Sequence, residues 1–430
     1  MRRVGRVALT VALLAMAGAA IAAERIPADI AERLTPQQVQ AYSGYLVQRN
    51  AFERQLEMYW ALVEERREHR KRKYVAKVPF VADDYVAQYP PKYVGPPMPV
   101  DVQVILTQTR PTVPDKPLPG LADFLESARA VYGFQPTLTT ERLFKRAYAQ
   151  DALQSGLTKD QVVRVYALET GGRGTFDMQA GIDPDTKQGR PISSAIGYAQ
   201  LLHANSVSEL VKHGDGFIQR LYGLASRSDV VGPRRAAIIA KANVLKAMLR
   251  NAKMVPNEWS AHQQMAKTPN GLGIHALNLD ADVGPWLQVL KLRGLLETAA
   301  REAGRGRLTG AELELMNLAG PRTGLEMMQA VGRTMPTSNF FSQGGYYRNT
   351  IVREKNGMQL LAALEERMEA GLKKPGSIEF AQVFDEVALG VAPLPSGVGG
   401  ALPAASVKMR GTVGVRGDAY VPPALPTSQP

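Results

Sequence analysis

Gln161-Val162-Val163-Arg164-Val165-Tyr166-Ala167-Leu168-Glu169-Thr170, closed by Gly171-Gly172, reads as an amphipathic helix that carries a carboxylate on its apolar side. With Val162 as origin and about 100° per residue, Tyr166 falls at about 40°, Glu169 at about −20°, Val165 at about −60° and Val163 at about 100°. Glu169 therefore lies inside the apolar arc, with Arg164 and Asp160 on the far side. Burial disfavours an ionised carboxylate and raises its pKa. Gly171 is a natural residue to follow the helix C-cap, so Glu169 also occupies the last turn, at the negative end of the macrodipole. Both effects favour a carboxyl that stays protonated near neutral pH, as a general acid must. On helix geometry alone, a Glu that turns its head to water, or pairs with a buried Arg, is the alternative.

The segments around this helix share its character. Residues 121–371 form a block with few strand signals and many helix starts. Thr158-Lys159-Asp160-Gln161, Ser206-Val207-Ser208-Glu209 and Thr309-Gly310-Ala311-Glu312 all fit the capping-box pattern. Pro233 suits the first position of a helix that shows Ala237, Ile238, Ala242, Leu245 and Leu249 on one face. The fold class is mainly α.

Upstream, Thr35-Pro36-Gln37-Gln38 marks the start of a long helix running toward Lys73, with apolar residues at Val39, Tyr42, Leu46, Phe52, Leu56 and Val63. It ends in Arg66-Arg67-Glu68-His69-Arg70-Lys71-Arg72-Lys73. Those cations suit the helix C-terminus as a solvated end, or else serve attraction to an anionic surface. Residues 79–119 are proline-rich and read as a linker or wrapping arm, with at most one short strand at 100–107. The domain reading is thus a leader at 1–22, a helix and proline-rich linker at 23–120, the helical block at 121–371, and a flexible Gly/Pro/Ala/Ser-rich tail at 391–430.

Arg2, Arg3 and Arg6 precede an apolar run at 7–19, and Ala20-Ile21-Ala22 offers the small–x–small pattern of a signal-peptidase site. The expectation is a periplasmic or secreted protein with no stable transmembrane segment after cleavage. Export counts against a nucleic-acid partner, despite 52 Lys and Arg against 40 Asp and Glu and a formal charge of +12. The basic balance fits acidic envelope glycans better. The 430 residues hold no cysteine, which excludes disulfides, thiolate metal sites, cysteine nucleophiles and cysteine-anchored lipid. The five histidines, at 69, 203, 213, 262 and 275, lack helical metal-ligand spacing, so neither metal nor cofactor is expected.

After Glu169, a glycine-rich loop returns through Gly189-Arg190-Pro191-Ile192-Ser193-Ser194 to Ala195-Ile196-Gly197-Tyr198-Ala199-Gln200-Leu201. A Glu closing a helix, a loop, and then Ser-x-Ala-x-Gly-x-x-Gln resembles the soluble lytic transglycosylases, relatives of goose-type lysozyme. Glu169-Thr170 stands where that family has Glu-Ser, and Ala195-x-Gly197-x-x-Gln200 where it has Ala-x-Gly-Leu-Met-Gln. Asn317-Leu318-Ala319-Gly320-Pro321 sits at the place of its Tyr-Asn-Ala-Gly-like turn, with Asn317 replacing the tyrosine. Pro336-Thr337 followed by Tyr346-Tyr347 echoes the closing segment of the family.

The resemblance implies a lysozyme-like domain that cleaves the bond between N-acetylmuramic acid and N-acetylglucosamine in peptidoglycan, leaving a 1,6-anhydro product. One Glu, here Glu169, would serve as acid and then base. Thr170, Ser194, Gly197, Tyr198, Gln200, Asn317, Tyr346 and Tyr347 would contact the sugar. A two-carboxylate hydrolase stays open through Asp177, Asp183 and Asp185 in the loop, although Asp-Pro-Asp near Gly reads first as turn chemistry. From a different class, a non-catalytic envelope protein could keep the groove to bind glycan or scaffold cell-wall partners, with the amino-terminal helix as a partner surface.

Overall fold

Side-chain caps set where many of the helices begin. Thr35 Oγ1 accepts from Gln38 N at 3.3 Å while Gln38 Oε1 accepts from Thr35 N at 2.9 Å, with Pro36 in the first turn. The same reciprocal pair joins Thr158 to Gln161 and Thr309 to Glu312. The computed structural model describes residues 26–109 and 117–391. The leader expected at 1–22 and the tail beyond residue 391 lie outside these residues, as do residues 110–116 of the arm.

The helices in chain order are α1 (Ala28–Ala31), α2 (Pro36–Val75), α3 (Val100–Thr109), α4 (Leu121–Tyr132), α5 (Glu141–Gln154), α6 (Lys159–Glu169), α7 (His203–Ser226), α8 (Gly232–Ala252), α9 (Trp259–Ala266), α10 (Pro269–His275), α11 (Gly284–Ala303), α12 (Gly310–Ala319), α13 (Pro321–Met327), α14 (Gln343–Arg348), α15 (Gly357–Leu372) and α16 (Pro375–Ala388). Among the described residues there are isolated β-bridges but no strand, so the protein is mainly α-helical. No helix among them is long and apolar enough to cross a membrane.

Two large cores divide the helical body. The first gathers Tyr148 of α5, Val162 and Tyr166 of α6, Leu313 and Leu315 of α12, Leu360 and Leu364 of α15, and Phe380 and Phe384 of α16. The second gathers Phe124 of α4, Leu210 and Phe217 of α7, Ile238 and Leu245 of α8, and Ile274 of α10. Helix α11 belongs to both: Leu287 and Leu290 enter the second core, while Val289, Leu292 and Leu295 enter the first. It is the shared wall from which the two halves diverge. Helix α16 lies past residue 371 and still contributes to the first core, where Phe380 packs edge-on against Tyr148 and Tyr166.

Three local expectations differ from the structure. The strand expected at 100–107 is helix α3, because helical spacing lets Val102, Ile105 and Leu106 join Ile26, Ile30, Leu34 and Tyr42 in a small third core. Packing there overrides the β-branched preference of the valines. Ser206 does not cap α7, which begins at His203; Asn205 Oδ1 accepts from Leu202 N, and the Ser206 hydroxyl lies inside the helix, 2.8 Å from His275 Nδ1. Ala237 is exposed, so the buried face of α8 starts at Ile238.

The cationic end of α2 is only partly solvated: Lys71 and Arg72 are exposed, while Arg70 turns inward. Arg70 is buried, donates to Glu326 Oε1 at 2.7 Å and to the carbonyls of Asp84 and Asn339 at 2.8 Å each, and lies over the Tyr85 ring. Trp60 of the same helix packs edge-on against Tyr346 and Tyr347. The proline-rich arm is fastened in turn by Asn339, whose amide group bonds both N and O of Val86 at 2.8 Å.

Candidate active site

Glu169 is the last residue of α6, Thr170 is its C-cap, and Gly171 follows at φ +61°, in the left-handed region a C-terminal stop requires. Gly172 repeats the conformation at φ +71°, and a Cβ there would come within 2.2 Å of the Gly371 carbonyl oxygen. This close approach clamps the end of α6 to the end of α15.

A cleft of about 1060 Å³ opens beside Glu169, between the two cores. Its first wall carries Glu169, Glu314, Asn317 and Leu364; its second carries Leu202, Asn205, Glu209 and Lys212, with Trp259 half-exposed at the rim. Lys291 of α11 lines it where the two walls meet. Glu314 and Asn317 stand one turn apart on α12, so both side chains reach the end of α6.

Glu169 and Glu314 are hydrogen-bonded to each other, and Asn317 Nδ2 donates to Glu169 Oε1 at 3.2 Å and lies 3.4 Å from each Glu314 oxygen. Burial pushes Glu169 up to about 7, opposed by the hydrogen bonds from Glu314 and Asn317. Burial also pushes Glu314 well above the usual carboxylate range, and the Glu169 charge adds to it. Two carboxyls in contact cannot both ionise cheaply, so the pair holds a shared proton through neutral pH. Asn317 supplies one amide donor to whichever oxygen carries charge. The third cleft carboxylate, Glu209, pairs with Lys212 at 3.0 Å, and His213 Nε2 lies 3.5 Å away with burial pulling its imidazole below the usual range.

The other expected site residues divide sharply. Gln200 lines the cleft, but its amide donates to its own loop, to Gly197 O at 2.8 Å and Met178 O at 3.3 Å, and its backbone sits at φ +41°. Gly197, at φ +80°, lies against Gln288 of α11, where a Cβ would meet the side-chain amide. Tyr198 is buried in a cluster with Tyr148, Tyr166 and Phe380, and its hydroxyl donates to Glu141 Oε2 at 2.5 Å. Ser194 Oγ is 2.8 Å from His203 Nδ1, and Thr170 Oγ1 donates to Tyr166 O. Tyr346 accepts from Glu354 N at 2.9 Å and, with Tyr347, buttresses Trp60. None of Thr170, Ser194, Gly197, Tyr198, Tyr346 and Tyr347 is among the residues that line the cleft. Nor are Asp177, Asp183 and Asp185: Asp183 Oδ1 accepts from Asp185 N and Thr186 N as a turn residue, while Asp177 and Asp185 pair with Lys187 and Arg173.

Glu314, Glu209 and Lys291 escaped the sequence reading. For Glu314 a signal existed. In Ala311-Glu312-Leu313-Glu314-Leu315-Met316, one Glu serves the cap and the other stands among apolar neighbours, the pattern that singled out Glu169. Compared with known proteins, the chain matches no protein-family model, no curated protein and no solved structure.

Proposed function

We propose that this protein is an exported, lysozyme-like lytic transglycosylase that cleaves the N-acetylmuramic acid–N-acetylglucosamine bond of peptidoglycan. The observation that carries the reading is the carboxyl of Glu169, part-buried at the edge of a cleft large enough for sugar rings and raised toward neutrality. Two-carboxylate glycosidases keep their carboxyls about 5–5.5 Å apart when retaining and about 6.5–9.5 Å apart when inverting. Glu169 and Glu314 touch, and so act as one acid–base unit.

In this mechanism protonated Glu169 gives its proton to the glycosidic oxygen as the bond to the muramyl C1 breaks. The resulting carboxylate takes the proton of the C6 hydroxyl as that oxygen attacks C1, which closes the 1,6-anhydro ring and restores the acid. Glu314, hydrogen-bonded to Glu169, keeps the pair protonated between the two steps, and Asn317 steadies the anionic stage. No water is consumed.

The second reading is a non-catalytic envelope protein that binds glycan or scaffolds partners. It is favoured by Gln200, which spends its amide on its own loop instead of leaving it for a sugar. Digestion of purified sacculi with the wild type and with Glu169→Gln separates the two. Anhydro-muropeptides from the wild type alone, seen by mass spectrometry, support the enzyme; sacculus binding with no product supports the second reading.

A further inference from the structure

Lys291 stands out among the charged groups of the cleft. It projects from α11 one turn beyond Gln288, which accepts from Ala199 N at 3.0 Å and so ties α11 to the 195–201 loop. Its side chain is part-buried against the cleft, yet no carboxylate among the described residues lies within ion-pairing distance of it. The two nearby carboxyls are already engaged: Glu209 by Lys212, and Glu314 by the proton it shares with Glu169. Burial accordingly pulls the ammonium below its usual range, since a desolvated charge without a partner is costly. Arg367 and Lys374, exposed on the first wall of the same cleft, also have no ion-pair partner among the described residues.

We infer that the cleft contains a carboxylate-binding subsite, with Lys291 at its floor and Arg367 and Lys374 at its mouth, that selects glycan bearing free acid groups over neutral glycan. The inference rests on the proposed glycan-binding role and names the chemistry the strand must carry. A ligand carboxylate would give Lys291 the counter-charge that the protein withholds, in a setting where a charge-assisted hydrogen bond is strong. Two groups on the wall polymer offer that chemistry, the lactyl acid of muramic acid once its peptide is removed, and the acids of an attached peptide.

Binding measured by calorimetry with the Glu169→Gln protein tests the inference without depending on turnover. The probes are chitotetraose, glycan strands stripped of peptide by an amidase, and strands that keep their peptides. Both acidic probes, or only the peptide-bearing one, should bind about tenfold or more tighter than chitotetraose; which of them does identifies the source of the carboxylate. Lys291→Met should erase that preference and leave chitotetraose unchanged. The exposed pair Arg367→Gln and Lys374→Gln, which disturbs no core contact, should reduce it several-fold and guards against misfolding of the first variant. Equal affinity for all three probes, or equal weakening of all three by Lys291→Met, would overturn the subsite. An absence of anhydro product from the wild-type protein overturns the transglycosylase reading alone, since the preference is read from binding.

Discussion

Glu169, which ends α6, and Glu314, in the middle of α12, hold their carboxyl groups in hydrogen-bond contact on one wall of the cleft. The protonated partner donates, so Glu314 stabilises the ionised form of Glu169 against a burial that opposes it. Replacing Glu314 by Leu removes the donor and leaves the burial. The Glu169 carboxyl should then titrate at higher pH than in the wild type, as read by carbon-detected NMR of labelled glutamate side chains. An unchanged or lower titration would show that the contact does not govern Glu169. Activity on sacculi should fall, by less than the about 10²–10⁴-fold that the general acid itself contributes, since Glu169 remains in place.

The pair also sets a sign for stability against pH. Glu169 is raised in the folded state from 4.5 to about 7, so the folded protein binds protons more tightly than the unfolded chain. The stability from this linkage is fully present below about 4.5 and is lost as pH rises through about 7. Asp151, which burial pushes up to about 6 against the opposing pull of Arg220, acts in the same direction. Urea melts should show the wild type losing about 1–3 kcal/mol between pH 5 and pH 8 relative to a protein carrying both Glu169→Gln and Glu314→Gln. A wild type that gains stability relative to the double variant over that interval would contradict the raised values.

Glu169 could be placed from the sequence because one helix, its cap and its terminating glycines are local features, and its position on the apolar arc needs no knowledge of the fold. The mainly α class followed from the same signals, and the capping boxes at Thr35, Thr158 and Thr309 set real helix starts. What could not be read was which distant groups meet. Glu314 reaches Glu169 only because α12 packs across α6, and Lys291 reaches the cleft only because α11 serves both cores. The tyrosines misled for a related reason. Tyr198 and Tyr346 are polar at one end and large at the other, and a site at that spacing looks the same in sequence as a buried ring whose hydroxyl finds a partner inside.

Arg70 should be the most costly surface-looking residue of the long helix. Its guanidinium bridges Glu326 and two backbone carbonyls from separate segments, a geometry that lysine cannot copy. Arg70→Ala leaves the part-buried Glu326 without its cation and the Asp84 and Asn339 carbonyls without their donor, and should cost up to about 3–5 kcal/mol in denaturant melts. Arg70→Lys should recover only part of that loss. Limited proteolysis should cut the proline-rich arm around residues 87–99 much faster in both variants. If the arm stays as resistant as in the wild type, Arg70 is not its anchor.

Gly172 gives the sharpest check on how the acid is aimed. Its φ of +71° is strained for any residue with a Cβ, and that atom would fall 2.2 Å from the Gly371 carbonyl oxygen, which belongs to backbone and cannot swing aside. The backbone must shift, and the nearest structure to move is the end of α6. Ser377 N also donates to Gly172 O at 3.2 Å, so α16 moves with it. Gly172→Ala should lower stability by about 1–3 kcal/mol and loosen the Glu169–Glu314 contact, and the Glu169 titration should move with it. Gly171→Ala is the control: it has a similar φ of +61° but open space around a Cβ, so it should show the backbone strain without the displacement. Equal titration shifts in the two variants would mean that the helix stop alone, and not the clamp on α15, positions the acid.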